Sequence, residues 1–103
     1  MPWELSGEYP LHHCIFRGDL KCFIMVIERC DIAKKDPHGN TPLHLAVMLG
    51  KKHFVHLLLA YGAPVKEKNL AGWTPLAEAI SYGEREIILW LVKKQKEQTK
   101  EEL

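Results

Sequence analysis

The stretch Asp36-Pro37-His38-Gly39-Asn40-Thr41-Pro42-Leu43-His44-Leu45-Ala46 returns, altered, as Asn69-Leu70-Ala71-Gly72-Trp73-Thr74-Pro75-Leu76-Ala77-Glu78-Ala79. Thr41 and Thr74 stand 33 residues apart, and a fainter copy, Tyr9-Pro10-Leu11-His12-His13-Cys14, begins 32 residues before Thr41. A fixed period of this size marks stacked supersecondary units, none of which hides its apolar face alone. Chains built this way present a binding surface, so catalysis is not the expected role.

Each copy reads as a turn followed by two helices. Asp36 and Pro37 start a bend and Gly39 supplies a positive φ. Thr41 then fits a helix N-cap and Pro42 the first helical position, where its missing N–H does no harm. Thr74-Pro75 repeats the pattern. Leu43, Ala46 and Val47 fall on one face of a short helix, matched by Leu76, Ala79 and Ile80. Gly18, Gly50 and Gly83 are placed to stop these first helices. Second helices follow, with Phe54, Val55, Leu58 and Leu59 at helical spacing. Ile87, Ile88, Leu91 and Val92 answer them downstream, and Cys22, Phe23, Val26 and Ile27 upstream. The fold class is all-α. The expected divisions are an N-terminal segment 1–8, repeats at 9–35, 36–68 and 69–95, and a polar tail 96–103.

Apolar residues make up 47% of the 103 and charged residues 26%, which argues against disorder. The formal net charge of +1 gives no electrostatic case for nucleic acid or an anionic membrane. The longest unbroken apolar runs, Cys22 to Ile27 and Ile87 to Val92, are far short of a bilayer span, so direct membrane insertion is not expected. Cys14, Cys22 and Cys30 read as small hydrophobes in a reducing, cytoplasmic compartment. Met1-Pro2-Trp3-Glu4-Leu5 shows no secretory pattern.

His12, His13 and Cys14, like His53 and His56, hint at a metal cluster, but no further ligands arrive with zinc-like spacing. His53 and His56 bracket the apolar Phe54 and Val55 and so belong on a solvated face. Side chains at i, i+1 and i, i+2 diverge on a helix, so His12 and His13 do not assemble a thiol nucleophile with Cys14. No phosphate loop, carboxylate pair or Ser-His-Asp set appears. No catalytic, metal or cofactor residues are assigned.

The Asp-x-x-Gly-x-Thr-Pro-Leu-His-x-Ala pattern resembles the ankyrin repeat over residues 9 to about 95. The resemblance implies an all-α solenoid of three helix-turn-helix repeats with projecting loop fingers, and a bracketing role for His12 and His44. Tyr9 replaces the capping Thr in the first unit, forfeiting about 1 kcal/mol of cap stability. That degeneracy suits a terminal unit. In the third, Ala77 replaces the signature His, and Gln95 stands where a Gly is expected. The run from His38 to Gly50, with Ala63-Pro64-Val65-Lys66 and Gly72-Trp73 through Gly83, is similar to the N-terminal repeats of the ankyrin repeat domain-containing protein 13 family. Met48, Ala77 and Glu78, outside the signature, point to its C-type branch.

Carried over residue by residue, the family's partner-contacting positions are Phe16 and Arg17 in the first unit, with His38, Asn40, Met48 and Leu49 in the second. In the third they are Leu70, Trp73 and Tyr82. The apolar members suit an interface core, and Phe16, Met48 and Leu49 equally suit packing between units. Leu89 and Trp90 make the last helix apolar nearly all round, a second surface that asks for cover. The resemblance implies a non-enzymatic protein-binding module of a receptor chaperone or trafficking adaptor. Its client is a protein, such as the cytosolic segment of a G-protein-coupled receptor, met at the cytosolic face of the endoplasmic reticulum. The alternatives are a scaffold for a C-terminal domain in cis and a generic adaptor.

Overall fold

The computed structural model describes residues 7–102, with side chains described through residue 98. Of the expected N-terminal segment only Gly7 and Glu8 fall among them. Among the described residues six α-helices form three antiparallel pairs: α1 (Pro10–Arg17) with α2 (Leu20–Val26), α3 (Pro42–Met48) with α4 (Lys52–Ala60), and α5 (Pro75–Tyr82) with α6 (Arg85–Glu102). A 3₁₀ turn, Ile27–Arg29, extends α2. There is no strand among the described residues.

The inner helices α1, α3 and α5 lie side by side, with α2, α4 and α6 behind them. Thr41 and Thr74 cap α3 and α5: their Oγ1 atoms accept from the backbone N–H of His44 (3.3 Å) and Ala77 (3.2 Å). Tyr9, by contrast, offers α1 no side-chain cap. Gly18 and Gly83 end α1 and α5 at φ values of 70° and 68°. Both lie in the left-handed region that side chains with a Cβ avoid. Asp19 caps α2 through Cys22 N–H at 3.0 Å.

One core runs through all three layers: Leu11, Ile15, Phe23, Leu43, Val47, Val55, Leu58, Ile87 and Leu91 are all buried. Phe23 of α2 meets Phe54 of α4 edge to face, with ring centroids 5.0 Å apart, which ties the first outer helix to the second.

The third layer departs from the expected pattern. Val47 of α3 is fully buried, because α5 lies against it. Ile80, its counterpart one period later, is 60% exposed and so does not belong to the core, contrary to the expectation for that slot. The difference lies in the neighbour, since nothing described covers the far flank of α5. The last helix also departs. Trp90 is half-buried, packing on the core and against His56 with ring centroids 3.8 Å apart. Leu89 is open at 68% exposure, and the partly buried Trp90 lines a depression with His56, Leu59 and Ala60. Finally, α6 runs unbroken across the boundary expected at residue 96.

Introducing an isolated charge at Val47 (Val47→Asp) should cost about 3 kcal/mol or more, while Ile80→Asp should stay within about 1 kcal/mol. Urea denaturation followed by circular dichroism measures both. Equal losses would show that the third layer is covered on its far side.

Candidate functional site

The loop fingers owe their shape to one acidic or amide side chain each. Asp36 Oδ1 accepts from the backbone N–H of His38 (2.9 Å) and Asn40 (3.0 Å), while Gly39 N–H donates to the Asp36 carbonyl at 2.8 Å. Asn69 rebuilds the same turn: its Oδ1 accepts from Ala71 (3.1 Å) and Trp73 (3.0 Å). The amide also carries two donors that an aspartate lacks. Asn69 Nδ2 donates to Asn40 Oδ1 at 3.0 Å and to Glu78 Oε1 at 3.1 Å, joining the two fingers to each other and to α5.

The fingers are packed closely enough to exclude a side chain at Gly39. Its φ is 77°, and a Cβ there would sit 2.6 Å from the Leu70 backbone nitrogen. That nitrogen donates to the His38 carbonyl at 3.0 Å.

His12 and His44 form the second link between layers. His12 Nε2 lies 2.8 Å from the Asn40 carbonyl oxygen, and His44 Nε2 lies 2.8 Å from that of Trp73, the same place one period later. A carbonyl oxygen only accepts, so the network assigns the hydrogen to Nε2 in both rings. His44 Nδ1 is thereby left to accept the backbone N–H of Thr41 at 3.1 Å, closing the capping box of α3. Burial holds both imidazoles below the ordinary value of 6.5, outweighing the carbonyl bonds that favour the charged form. Ala77 fills the equivalent slot of α5, so no imidazole reaches out from the third layer.

Against this frame the expected contact residues separate. His38, Met48 and Leu70 line a groove between the second and third fingers, with a volume of about 640 Å³. Asp36, Leu45 and Glu78 complete much of its wall. Leu70 is 80% exposed, Met48 half-buried. Asn40 also borders the groove, but it is buried, and its backbone and amide are committed to Asp36, His12 and Asn69. It is a strut rather than the exposed contact expected of it. Trp73 lies in a separate depression with Ala77, Ile80 and Ser81 on the open flank of α5. Leu49, Tyr82 and Arg17 are exposed, whereas Phe16 packs partly into the core. Two further residues matter: Glu78, buried in the wall of the groove, and Ile80, exposed beside Trp73. Sequence reasoning passed over both, because in the preceding unit their slots hold the apolar Leu45 and Val47.

Cys14 is buried, and that burial, with the neighbouring Cys22, pushes its thiol up to about 12. A thiol held so far from its anion is a poor nucleophile. His53 and His56 are exposed, and among the described residues no three His, Cys, Asp or Glu side chains gather as metal ligands.

Finger, helix pair and imidazole bracket define a class. A family model described as ankyrin repeats, in three copies, matches residues 11–102, and the chain belongs to the ankyrin repeat family. Within it, the chain is similar to ankyrin repeat domain-containing protein 13C. It is 57% identical over 100 residues to that protein of Danio rerio, covering 97% of this chain and 20% of the relative. It is also 57% identical over 95 residues to the Homo sapiens protein, covering 92% and 18%. Ankyrin repeat domain-containing protein 13B of Mus musculus is 39% identical over 85 residues, covering 81% and 14%. The gap between 57% and 39% places the likeness on the C-type side. The chain spans about a fifth of the length of these curated relatives.

The two imidazoles set a pH dependence. Their folded values lie below the unfolded one, so the unfolded chain takes up protons first as the solution is acidified. Their contribution is complete above pH 6.5 and is lost as the pH falls below it. The loss is at most about 1.4 kcal/mol per pH unit per ring. Urea unfolding between pH 7.5 and 5 should show it, and His44→Gln should flatten the curve. A slope that His44→Gln leaves unchanged would place the proton uptake elsewhere.

Proposed function

We propose that this chain is a non-enzymatic protein-binding module, and that in its family setting it helps a receptor-biogenesis or trafficking factor hold a client. One observation carries the reading: large apolar side chains stand exposed on the third finger and the helix behind it. Leu70 is 80% exposed, Ile80 60%, Tyr82 53% and Trp73 42%. Exposed apolar area of this kind is a docking surface when the scaffold beneath it is rigid. The bracketed fingers supply that rigidity.

The client favoured by the likeness to the C-type branch is the cytosolic segment of a G-protein-coupled receptor, engaged at the cytosolic face of the endoplasmic reticulum. Among the described residues no helix is long and apolar enough to cross a membrane. Attachment there would therefore run through the client or through other parts of the protein.

A second reading has one observation of its own. The relatives are about five times as long as this chain, and the open flank of α5 with Leu89 of α6 suits cover by a domain in cis. Slower amide exchange in α5 and α6 of a full-length 13C relative than in its isolated repeats would favour it.

For the first reading, synthetic peptides of receptor cytosolic C-terminal segments are titrated against the chain by fluorescence anisotropy. Leu70→Ala and Trp73→Ala should each weaken binding roughly tenfold. The Trp73 carbonyl, which His44 holds, is untouched by that change, so the melting temperature should move by only a few degrees. Unchanged affinity in both variants would refute the reading.

A further inference from the structure

Glu78 sits in the slot that holds Leu45 in the second unit and His13 in the first. Its side chain is nearly out of water, at 8% exposure. Oε1 accepts from Asn69, but among the described residues neither a donor nor a cation meets Oε2. Among the described residues, Lys35–Glu67, Lys52–Glu86 and Lys94–Glu97 form ion pairs away from the groove. Among the described residues no fully buried side-chain oxygen lacks a partner, so Oε2 keeps its contact with the groove it lines. A carboxylate so withdrawn from water is costly to the fold unless a cation or a donor meets it.

The groove around it is apolar on its other side. Leu45, Met48 and Leu70 line the same cleft, whose volume of about 640 Å³ suits side chains rather than a single ion. Asp36 adds a second carboxylate to the wall, but its Oδ1 is held by the finger's own N–H groups. An occupant must therefore offer one positive, hydrogen-bonding group beside an apolar one.

We propose that the groove between the second and third fingers selects a peptide segment in which a lysine or arginine adjoins an apolar residue. The cation seats on Glu78 Oε2, and the apolar side chain rests on Met48 and Leu70. This rests on the reading that the finger face binds protein, and it adds the chemistry that chooses among partners. Charge complementarity in a partly desolvated cleft acts chiefly on specificity, because a neutral or acidic side chain there leaves the carboxylate unanswered.

The test uses the 103-residue chain immobilised on a column and three pools of degenerate dodecapeptides with a fixed Leu-Xaa-Leu centre. Xaa is arginine, citrulline (same shape, no charge) or glutamate. The arginine pool should be retained roughly tenfold over the citrulline pool, the size of one charge-assisted hydrogen bond. The glutamate pool should pass through. Glu78→Gln keeps an amide oxygen for Asn69, so it should leave the melting temperature no lower and bring the arginine and citrulline pools level. Leu70→Ala should lower retention of both without changing their ratio. Equal retention of arginine and citrulline by the unaltered chain, or a preference that survives Glu78→Gln, overturns the proposal while leaving the protein-binding reading standing. Retention of no pool contradicts both.

Discussion

His12 of α1 and His44 of α3 each reach across to a backbone carbonyl of the following finger, and the rest of the molecule is arranged around those two bonds. They come from the first turns of α1 and α3, at residues 12 and 44, and end on carbonyls 33 residues apart, at Asn40 and Trp73. A short helix pair has too little apolar surface to stand alone, so a layer exists only in company. Side-by-side burial of Leu43, Val47 and Val55 supplies most of the favourable free energy, but that term is non-directional. The bracket adds direction: it sets the height and angle at which each finger leaves the stack. Burial keeps both rings neutral, and in His44 this leaves Nδ1 able to accept the Thr41 N–H.

The consequences reach the surface through a short chain of contacts. A finger fixed by His44 at Trp73 presents Asn69 to Asn40 and to Glu78, and those amide bonds set the width of the groove beside Met48 and Leu70. A surface ordered in this way before binding loses little entropy when a partner docks. The same logic explains the open flank of α5. Ala77 carries no ring to hold a further finger, and Trp73 and Ile80 are left facing outward. The described layers thus present two surfaces of different chemistry, a mixed acidic and apolar groove and a largely apolar flank of α5.

Much of the fold was legible in the chain because its marks are local. Thr-Pro at residues 41–42 and 74–75, and glycine after each first helix, act through bonds within a few residues, so their meaning carries from one copy to the next. Errors arose where burial depends on a neighbour rather than on the slot. Ile80 copies Val47 in sequence, but among the described residues no layer lies beyond it. Asn40 looked like a finger-tip contact, yet its partners Asn69 and His12 lie 29 and 28 residues away. Glu78 carried no signal in its own slot, since its isolation is a property of the groove and not of the helix.

Nitrogen-15 NMR of the imidazole rings tests the bracket most directly. If His12 and His44 hold the stack together, both rings show the Nε2–H form with an unprotonated Nδ1 at neutral pH. Each shows a slowly exchanging Nε2 proton, and neither titrates before the chain unfolds. Rapid tautomer averaging, or an Nε2 without its proton in either ring at neutral pH, would mean that the layers are held by apolar packing alone.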